Sequence, residues 1–341
     1  MPGQSEQQGI GLATMGLKSF IGCLGDQVVS AQEETFDLFS QELPSSNLGF
    51  IDAKTSTLEL TVADHDLTIH QSPTILASNR AGGTTGAVVW KITPAFAEWL
   101  SSQDSVLFES GVLSQSSTVL ELGCGVSAIV GLLLAPRISH YILTDQSYVA
   151  KAVEKNIEAN REAVFPARSV GGGPPVRGRR PRTASSAQRS TTTTATTGRG
   201  RIRFVPLDWE TDEVTPQLTE GGPVPGADAV VACDCIYNEA LIEPFVQTCV
   251  DICRLRAAAS RPGRGGDEGE DGEGEDGNAS VCIVAQQLRD PDVFEAWMTR
   301  FAESFDAWRV PDSVLSPGLR SDSGFVVHVG VLKGTLTSQG V

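Results

Sequence analysis

Residues 118–132, T-V-L-E-L-G-C-G-V-S-A-I-V-G-L, constrain the fold more than any other stretch of the chain. A short apolar run carrying one acid turns on Gly123 and Gly125 and continues as an apolar segment of helical length. That pattern predicts a strand, a tight glycine turn and a helix. Glycines at such a turn let the backbone adopt unusual dihedrals and let a ligand come close, while the N–H groups that open the helix offer hydrogen bonds. The stretch therefore predicts a nucleotide-type pocket.

Gly123-x-Gly125-x-x-Ala128 also fits the dinucleotide fingerprint. Glu121 argues against that ligand, because an acid two residues before the first glycine would face a pyrophosphate with like charge. A cationic ligand suits it better: S-adenosylmethionine carries a sulfonium and an α-ammonium and no phosphate. Asp145 ends the next apolar run, residues 141–144, and at a strand end beside the turn its carboxylate can accept both ribose hydroxyls. The plainer alternative is that both acids cap helices.

The rest of the chain reads as support for this unit. Two segments of the 341 residues look unable to fold, so one domain is expected over residues 48–335, preceded by a loosely ordered segment, 1–47. The inserts, at about 166–201 and 262–278, are rich in Gly, Pro, Thr and Arg, or in Gly and acids. They lack the apolar residues that offset ordering entropy and are expected to be disordered. The formal charge of −16 argues against general affinity for nucleic acid or an anionic membrane and favours a basic protein partner. The basic run at residues 177–182 could be a nuclear signal or an RNA contact; a solvated low-complexity loop is the plainer reading. An odd count of seven cysteines predicts reduced core thiols and a cytoplasmic protein, with the nucleus as a second compartment. Cys233-x-Cys235 alternates along a strand, which points its side chains to opposite faces and argues against a metal site. Residues 10–24 are broken by Gly and Lys18 and form neither a signal peptide nor a membrane span.

In order, residues 33–43 allow a short helix, and the pieces 48–51, 57–62 and 67–70 predict an accessory hairpin or small sheet that includes His70. The flexible loop 82–86 runs into Trp90, which is either core or a cover for the ligand. Ile92, Phe96, Trp99 and Leu100 then recur at helical spacing. Strands and helices alternate afterwards: helix 147–162, strand 202–207, strand 227–233, helix 239–255, strand 281–285 and helix 293–305. This alternation predicts a mostly parallel, doubly wound α/β sheet with its ligand at the carboxyl ends of the strands. Residues 325–331 predict a closing antiparallel strand in which His328 is structural.

The residues so assembled resemble the class I S-adenosylmethionine-dependent methyltransferases, which have a seven-stranded doubly wound fold. Within these the chain is similar to the protein-lysine methyltransferases that carry a D-x-x-Y motif after the fourth strand, here Asp234-Cys235-Ile236-Tyr237. The loop from Gly82 to Pro94 and the later L-D-W-E at 207–210 are closer still to the fungal ribosomal lysine N-methyltransferase branch, which modifies a protein of the large ribosomal subunit. The resemblance implies that Trp90 contacts the cofactor, that Gly123, Cys124 and Gly125 form its turn beside Glu121, and that Asp145 holds the ribose. It further implies that Trp209 lies by the adenine, with Asp208 also in the cofactor site, and that Cys233 touches the cofactor. Asp234 and Tyr237, at the end of a strand and just past it, are the candidates for orienting the target lysine. Read from its position alone, Asp234 can instead cap the following helix. Three functions stay open on the sequence: a monomeric protein-lysine methyltransferase, a methyltransferase for RNA or a small molecule, and a catalytically silent scaffold.

Overall fold

The computed structural model describes residues 16–44, 49–80, 83–165, 195–196, 201–259 and 279–336. Helices α1 (Gly16–Gly22) and α2 (Ala31–Phe39) come first, then strands β1 (Thr57–Val62) and β2 (His65–His70). Helices α3 (Pro73–Leu76), α4 (Ile92–Ser101) and α5 (Val106–Glu109) lead to strand β3 (Thr118–Leu122) and helix α6 (Ile129–Leu134). Strand β4 (His140–Asp145) and helix α7 (Ala150–Val164) precede strands β5 (Ala195–Thr196), β6 (Arg201–Pro206) and β7 (Ala229–Cys233). Helix α8 (Ile242–Ala259), strand β8 (Val281–Gln287), helix α9 (Pro291–Ser304) and strands β9 (Phe305–Arg309) and β10 (Phe325–Leu332) complete the chain. The two inserts fall outside the described residues, apart from the two residues of β5.

The main sheet has the order β5-β6-β4-β3-β7-β8-β10-β9. Strands β6, β4, β3, β7 and β8 are mutually parallel, and β10 runs antiparallel between β8 and β9. With the two-residue β5 set aside, this is the expected seven-stranded doubly wound sheet. The chain winds from β3 through β4 to β6 and then crosses back to β7. The order therefore reverses between β3 and β7, which opens a crevice beyond their carboxyl ends.

Strands β3 and β7 are buried along their whole length, as central parallel strands must be, and this is why they read as continuous apolar runs. Alternate residues feed two cores. Val119, Tyr141 and Val231 pack on the side of α4 and α6, and Leu120, Ile142 and Val230 on the side of α8 and α9. Each fully buried aliphatic side chain contributes about 1.5–3 kcal/mol before entropy is counted. The β1–β2 hairpin docks through two buried asparagines of α7. The Asn156 amide accepts the His70 N–H at 2.7 Å and donates to the His70 carbonyl at 2.8 Å, and Asn160 does the same for Thr68 at 2.8 and 2.9 Å. These amides satisfy the edge of β2 as a further strand would.

Four expectations change. Residues 16–44 are packed rather than loose: Leu17, Phe20 and Leu24 are buried, and Glu34 of α2 accepts a hydrogen bond from buried His328 at 2.8 Å. Glycines hid the helical spacing of that apolar trio, whereas the structural reading of His328 holds. The α2 helix starts earlier than expected, where the Ser30 hydroxyl accepts the Glu33 N–H at 3.2 Å, and it ends at Phe39. Residues 49–51 do not join the hairpin, because Ile51 N–H donates to Val89 and Lys91 N–H to Gly49. Finally, Phe305 opens β9 instead of closing α9; no glycine or proline marks that join.

Candidate active site

The glycine turn lies in the crevice between β3 and β7. Gly123 and Gly125 have φ of +66° and +57°, a region that L-residues enter at a cost of about 1–2 kcal/mol. The Cys124 N–H donates to the Thr144 carbonyl at 3.0 Å. The carboxylate of Asp145 clamps the turn, accepting the N–H of Gly125 at 2.9 Å and of Gln146 at 2.7 Å. Residues 83–86 cross the turn, with the Gly86 carbonyl accepting the Val126 N–H at 2.8 Å. A Cβ on Gly125 would sit 3.0 Å from that carbonyl oxygen, and one on Gly123 would sit 2.6 Å from Cys235 Sγ.

Of the two acids of the turn, Glu121 is buried and Asp145 half-buried. Glu121 is 3 % exposed and accepts the Tyr141 hydroxyl at 2.7 Å. Burial pushes its carboxyl up to about 8, against the Tyr141 hydrogen bond and with help from the charge of Asp145. Burial likewise pushes Asp145 up to about 6, against its two backbone donors. Neither acid caps a helix, since the turn at Ser147–Val149 and α7 both open without a side-chain cap.

A pH dependence follows. The fold favours protonated Glu121, so that contribution to stability is complete below the ordinary value of 4.5 and is lost as pH rises through about 8. Asp145, raised from 3.8 to about 6, adds to the decline in the lower part of this window. The ligand-free protein is expected to lose stability as pH rises from about 4.5 to 8. The Glu121→Gln variant should flatten the part above about pH 6; denaturant titrations at several pH values measure both slopes.

Beyond β7, Asp234 has φ of +60° and a fully buried carboxylate held by both terminal nitrogens of Arg289, at 2.8 and 2.5 Å. It also accepts the Gln287 N–H at 3.2 Å. It does not cap the next helical turn, which Asn238 caps through the Ala240 N–H at 3.1 Å. The Arg289 guanidinium lies 5.0 Å from the centroid of Trp90, whose indole N–H donates to the Thr85 carbonyl at 3.2 Å and whose ring packs on Phe50 at 4.6 Å. Trp90 is thus packed and lines the cavity as well. Tyr237, 38 % exposed at the mouth, accepts the Thr85 hydroxyl at 3.1 Å. Trp209 packs edge-on against Phe245 at 5.2 Å, and its indole N–H is buried without a partner among the described residues. Asp208 Oδ1 accepts the Glu210 N–H at 3.1 Å. Cys233 Sγ lies 3.7 Å from the Thr93 hydroxyl, while Cys235 Sγ donates to the Leu122 carbonyl at 3.3 Å. The two pack in different cores, but not by alternation along one strand as expected, since β7 ends at Cys233 and the left-handed Asp234 separates them.

All eleven residues singled out from the sequence line this one cavity. Sequence reasoning missed the residues that hold them: Arg289 behind Asp234, Tyr141 behind Glu121, Thr85 behind Tyr237, and Gly86 over the turn. An arginine directly beyond the carboxyl end of β8 was the available signal for the first of these.

Residues 69–170 match a family described as lysine methyltransferase. Ribosomal lysine N-methyltransferase 5 of Zygosaccharomyces rouxii is 30% identical over 253 residues, covering 69% of this chain and 70% of that protein. The chain belongs to the lysine methyltransferase family. The Candida glabrata protein of the same name is 29% identical over 209 residues, 53% of this chain and 58% of that one. A Schizosaccharomyces pombe protein named diaminohydroxyphosphoribosylamino-pyrimidine deaminase is 24% identical over 280 residues, 82% of this chain but only 53% of its own length. The present chain has neither the H-x-E nor the P-C-x-x-C pattern of zinc deaminases. Among solved structures, a putative S-adenosylmethionine-dependent methyltransferase from Streptococcus mutans covers 85% of this chain and 57% of its own at 9% identity, with a TM-score of 0.40. That likeness is too remote to bear on function.

The cofactor of this family member is S-adenosylmethionine, and the cavity fits it. Two carboxyl groups offer acceptors for an ammonium and for ribose hydroxyls, and a cationic ligand beside Glu121 would favour its ionised form. The buried Trp209 N–H, without a partner among the described residues, can donate to an acceptor such as a ring nitrogen.

Proposed function

We propose that the protein methylates the side-chain amine of a lysine in a large-subunit ribosomal protein, acting as a monomer in the cytoplasm on a basic partner. The observation that carries this reading is the meeting of the glycine turn and the D-x-x-Y loop in one cavity, in a chain whose relatives are named ribosomal lysine N-methyltransferases. The net charge of −16 suits a basic substrate. Among the described residues no helix is long and apolar enough to cross a membrane.

When bound, S-adenosylmethionine supplies a methyl group activated by a sulfonium. The turn at Gly123–Gly125 lies against that end of the ligand, and Glu121 offers its carboxyl to the amine, whose positive charge favours the ionised form of that carboxyl. Asp145 is placed to accept ribose hydroxyls, and Trp209 and Asp208 flank the base. The attacking amine must be neutral, which for a lysine in water at pH 7 costs roughly 4–5 kcal/mol. A water-poor cavity lessens that cost, because burial disfavours the ammonium form. Most of the rate then comes from positioning. Tyr237 can position the amine. Burial raises its phenol further above its ordinary value, so it stays neutral, and its oxygen can accept a hydrogen bond from the lysine. Asp234 is committed to Arg289 and Gln287, which fits an orienting role and not that of a base.

Large ribosomal subunits from a strain lacking this protein, incubated with it and labelled S-adenosylmethionine, should acquire label on one protein, at lysine after hydrolysis. Labelled RNA in place of protein would overturn the substrate assignment.

A further inference from the structure

Among the described residues the exposed large hydrophobic side chains are Val29 at 86 %, Phe36 at 73 % and Tyr237 at 38 %. They are not scattered. Val29 lies just ahead of α2, Phe36 lies on it, and Tyr237 stands at the mouth of the cavity. A separate groove joins the two sites: it runs between Phe39, the last residue of α2, and Tyr237 itself, along Leu288, Val293 and Phe294. Phe39 is one helical turn from Phe36, on the same side, and packs edge-on against Phe294 at 5.8 Å.

Two further features mark this path. Gln286 lines the groove, is 2 % exposed, and its side-chain amide nitrogen has no hydrogen-bond partner among the described residues. A buried donor left unmatched is unfavourable, and a peptide carbonyl laid in the groove would satisfy it. The acids of α2 occur beside its exposed aromatic: Glu33 and Asp37 flank Phe36 and line a second hollow with Val29. Among the described residues only Arg309 answers them, at 3.9 Å from Asp37, and α2 contains no basic residue.

We propose that α2 and the groove leading from it to Tyr237 form the docking surface for the polypeptide that presents the lysine, a basic segment with apolar residues flanking the target. The inference rests on the lysine methyltransferase reading above. Phe36 and Val29 take the apolar residues, Glu33 and Asp37 face the basic ones, and Gln286 donates to a backbone carbonyl as the chain nears the mouth. Continuity with the cavity through Tyr237 and the match of charge favour the protein substrate over a second copy of this acidic chain, whose like charges would repel.

Methylation of large ribosomal subunits tests the surface with two variants, Phe36→Ser and Gln286→Met. Phe36 is mostly in solvent, so its replacement leaves the fold intact. Both variants are expected to raise KM for subunits, Phe36→Ser by about tenfold, the scale of losing an aromatic anchor, with kcat and cofactor Kd at wild-type values. A wild-type KM in both variants, with wild-type protein active on subunits, would overturn the docking surface alone. Phe36→Ser that dissociates a dimer in sedimentation while KM stays unchanged would give the surface to a second copy instead. Wild-type protein inactive on subunits but active on another protein would overturn the ribosomal reading, and this surface would then be judged by KM for that protein.

Discussion

Replacing Asp234 by Asn is expected to lower methyl transfer by at least about a hundredfold and to lower the melting temperature as well. The second effect comes from Arg289. Its guanidinium is matched by a carboxylate with no solvent exposure, and breaking a buried pair from one side costs about 3–5 kcal/mol. Because Arg289 keeps 22 % of its side-chain exposure, water can recover part of the loss, and the lower end of that range is expected. Loss of activity in the single variant therefore cannot separate orientation of the lysine from simple loosening of the loop. The double variant Asp234→Asn, Arg289→Gln separates them, since two neutral amides can bond to each other and restore much of the stability. If the carboxylate orients the lysine, the double variant melts near wild type yet remains inactive in single-turnover methylation, with cofactor affinity retained. Recovery of turnover together with stability would reduce Asp234 to a structural anchor.

What the sequence revealed and what it concealed differ by mechanism. Parallel strands buried on both faces leave uninterrupted apolar runs, so β3, β4, β7 and β8 were visible, and the positions at their carboxyl ends gave the site. The glycines were visible because only glycine takes such dihedrals cheaply. Partners were hidden, because Asp234 and Arg289 are 55 positions apart and Glu121 and Tyr141 belong to different strands. A carboxylate seen alone reads equally as a cap, a ligand acceptor or half of an ion pair, and only the fold chooses. The same holds for Asn156 and Asn160, which look like solvent-facing residues of an amphipathic helix but are the buried groups that fasten the hairpin. The strand β9 was concealed because nothing in its composition separates it from α9.

The glycines of the site carry the second large expected effect, and they rank themselves. Gly83 and Gly125 both have positive φ, +87° and +57°, so an alanine at either position meets a conformational cost of about 1–2 kcal/mol. Their surroundings differ. A Cβ on Gly83 would meet only the Tyr237 hydroxyl at 3.8 Å, an ordinary contact, whereas one on Gly125 would press on the Gly86 carbonyl oxygen at 3.0 Å. That oxygen is backbone and already accepts the Val126 N–H, so it cannot yield without lifting residues 83–86 off the turn. The shift would also strain the bond from the Gly125 N–H to Asp145, the carboxylate placed for the ribose. Gly125→Ala is therefore expected to weaken S-adenosylmethionine binding by about a hundredfold or more, the sum of conformational strain and a lost charge-assisted hydrogen bond. Gly83→Ala should weaken it by no more than about tenfold. Calorimetric titration of both variants measures the difference, and equal affinities would show that residues 83–86 do not cover the bound cofactor.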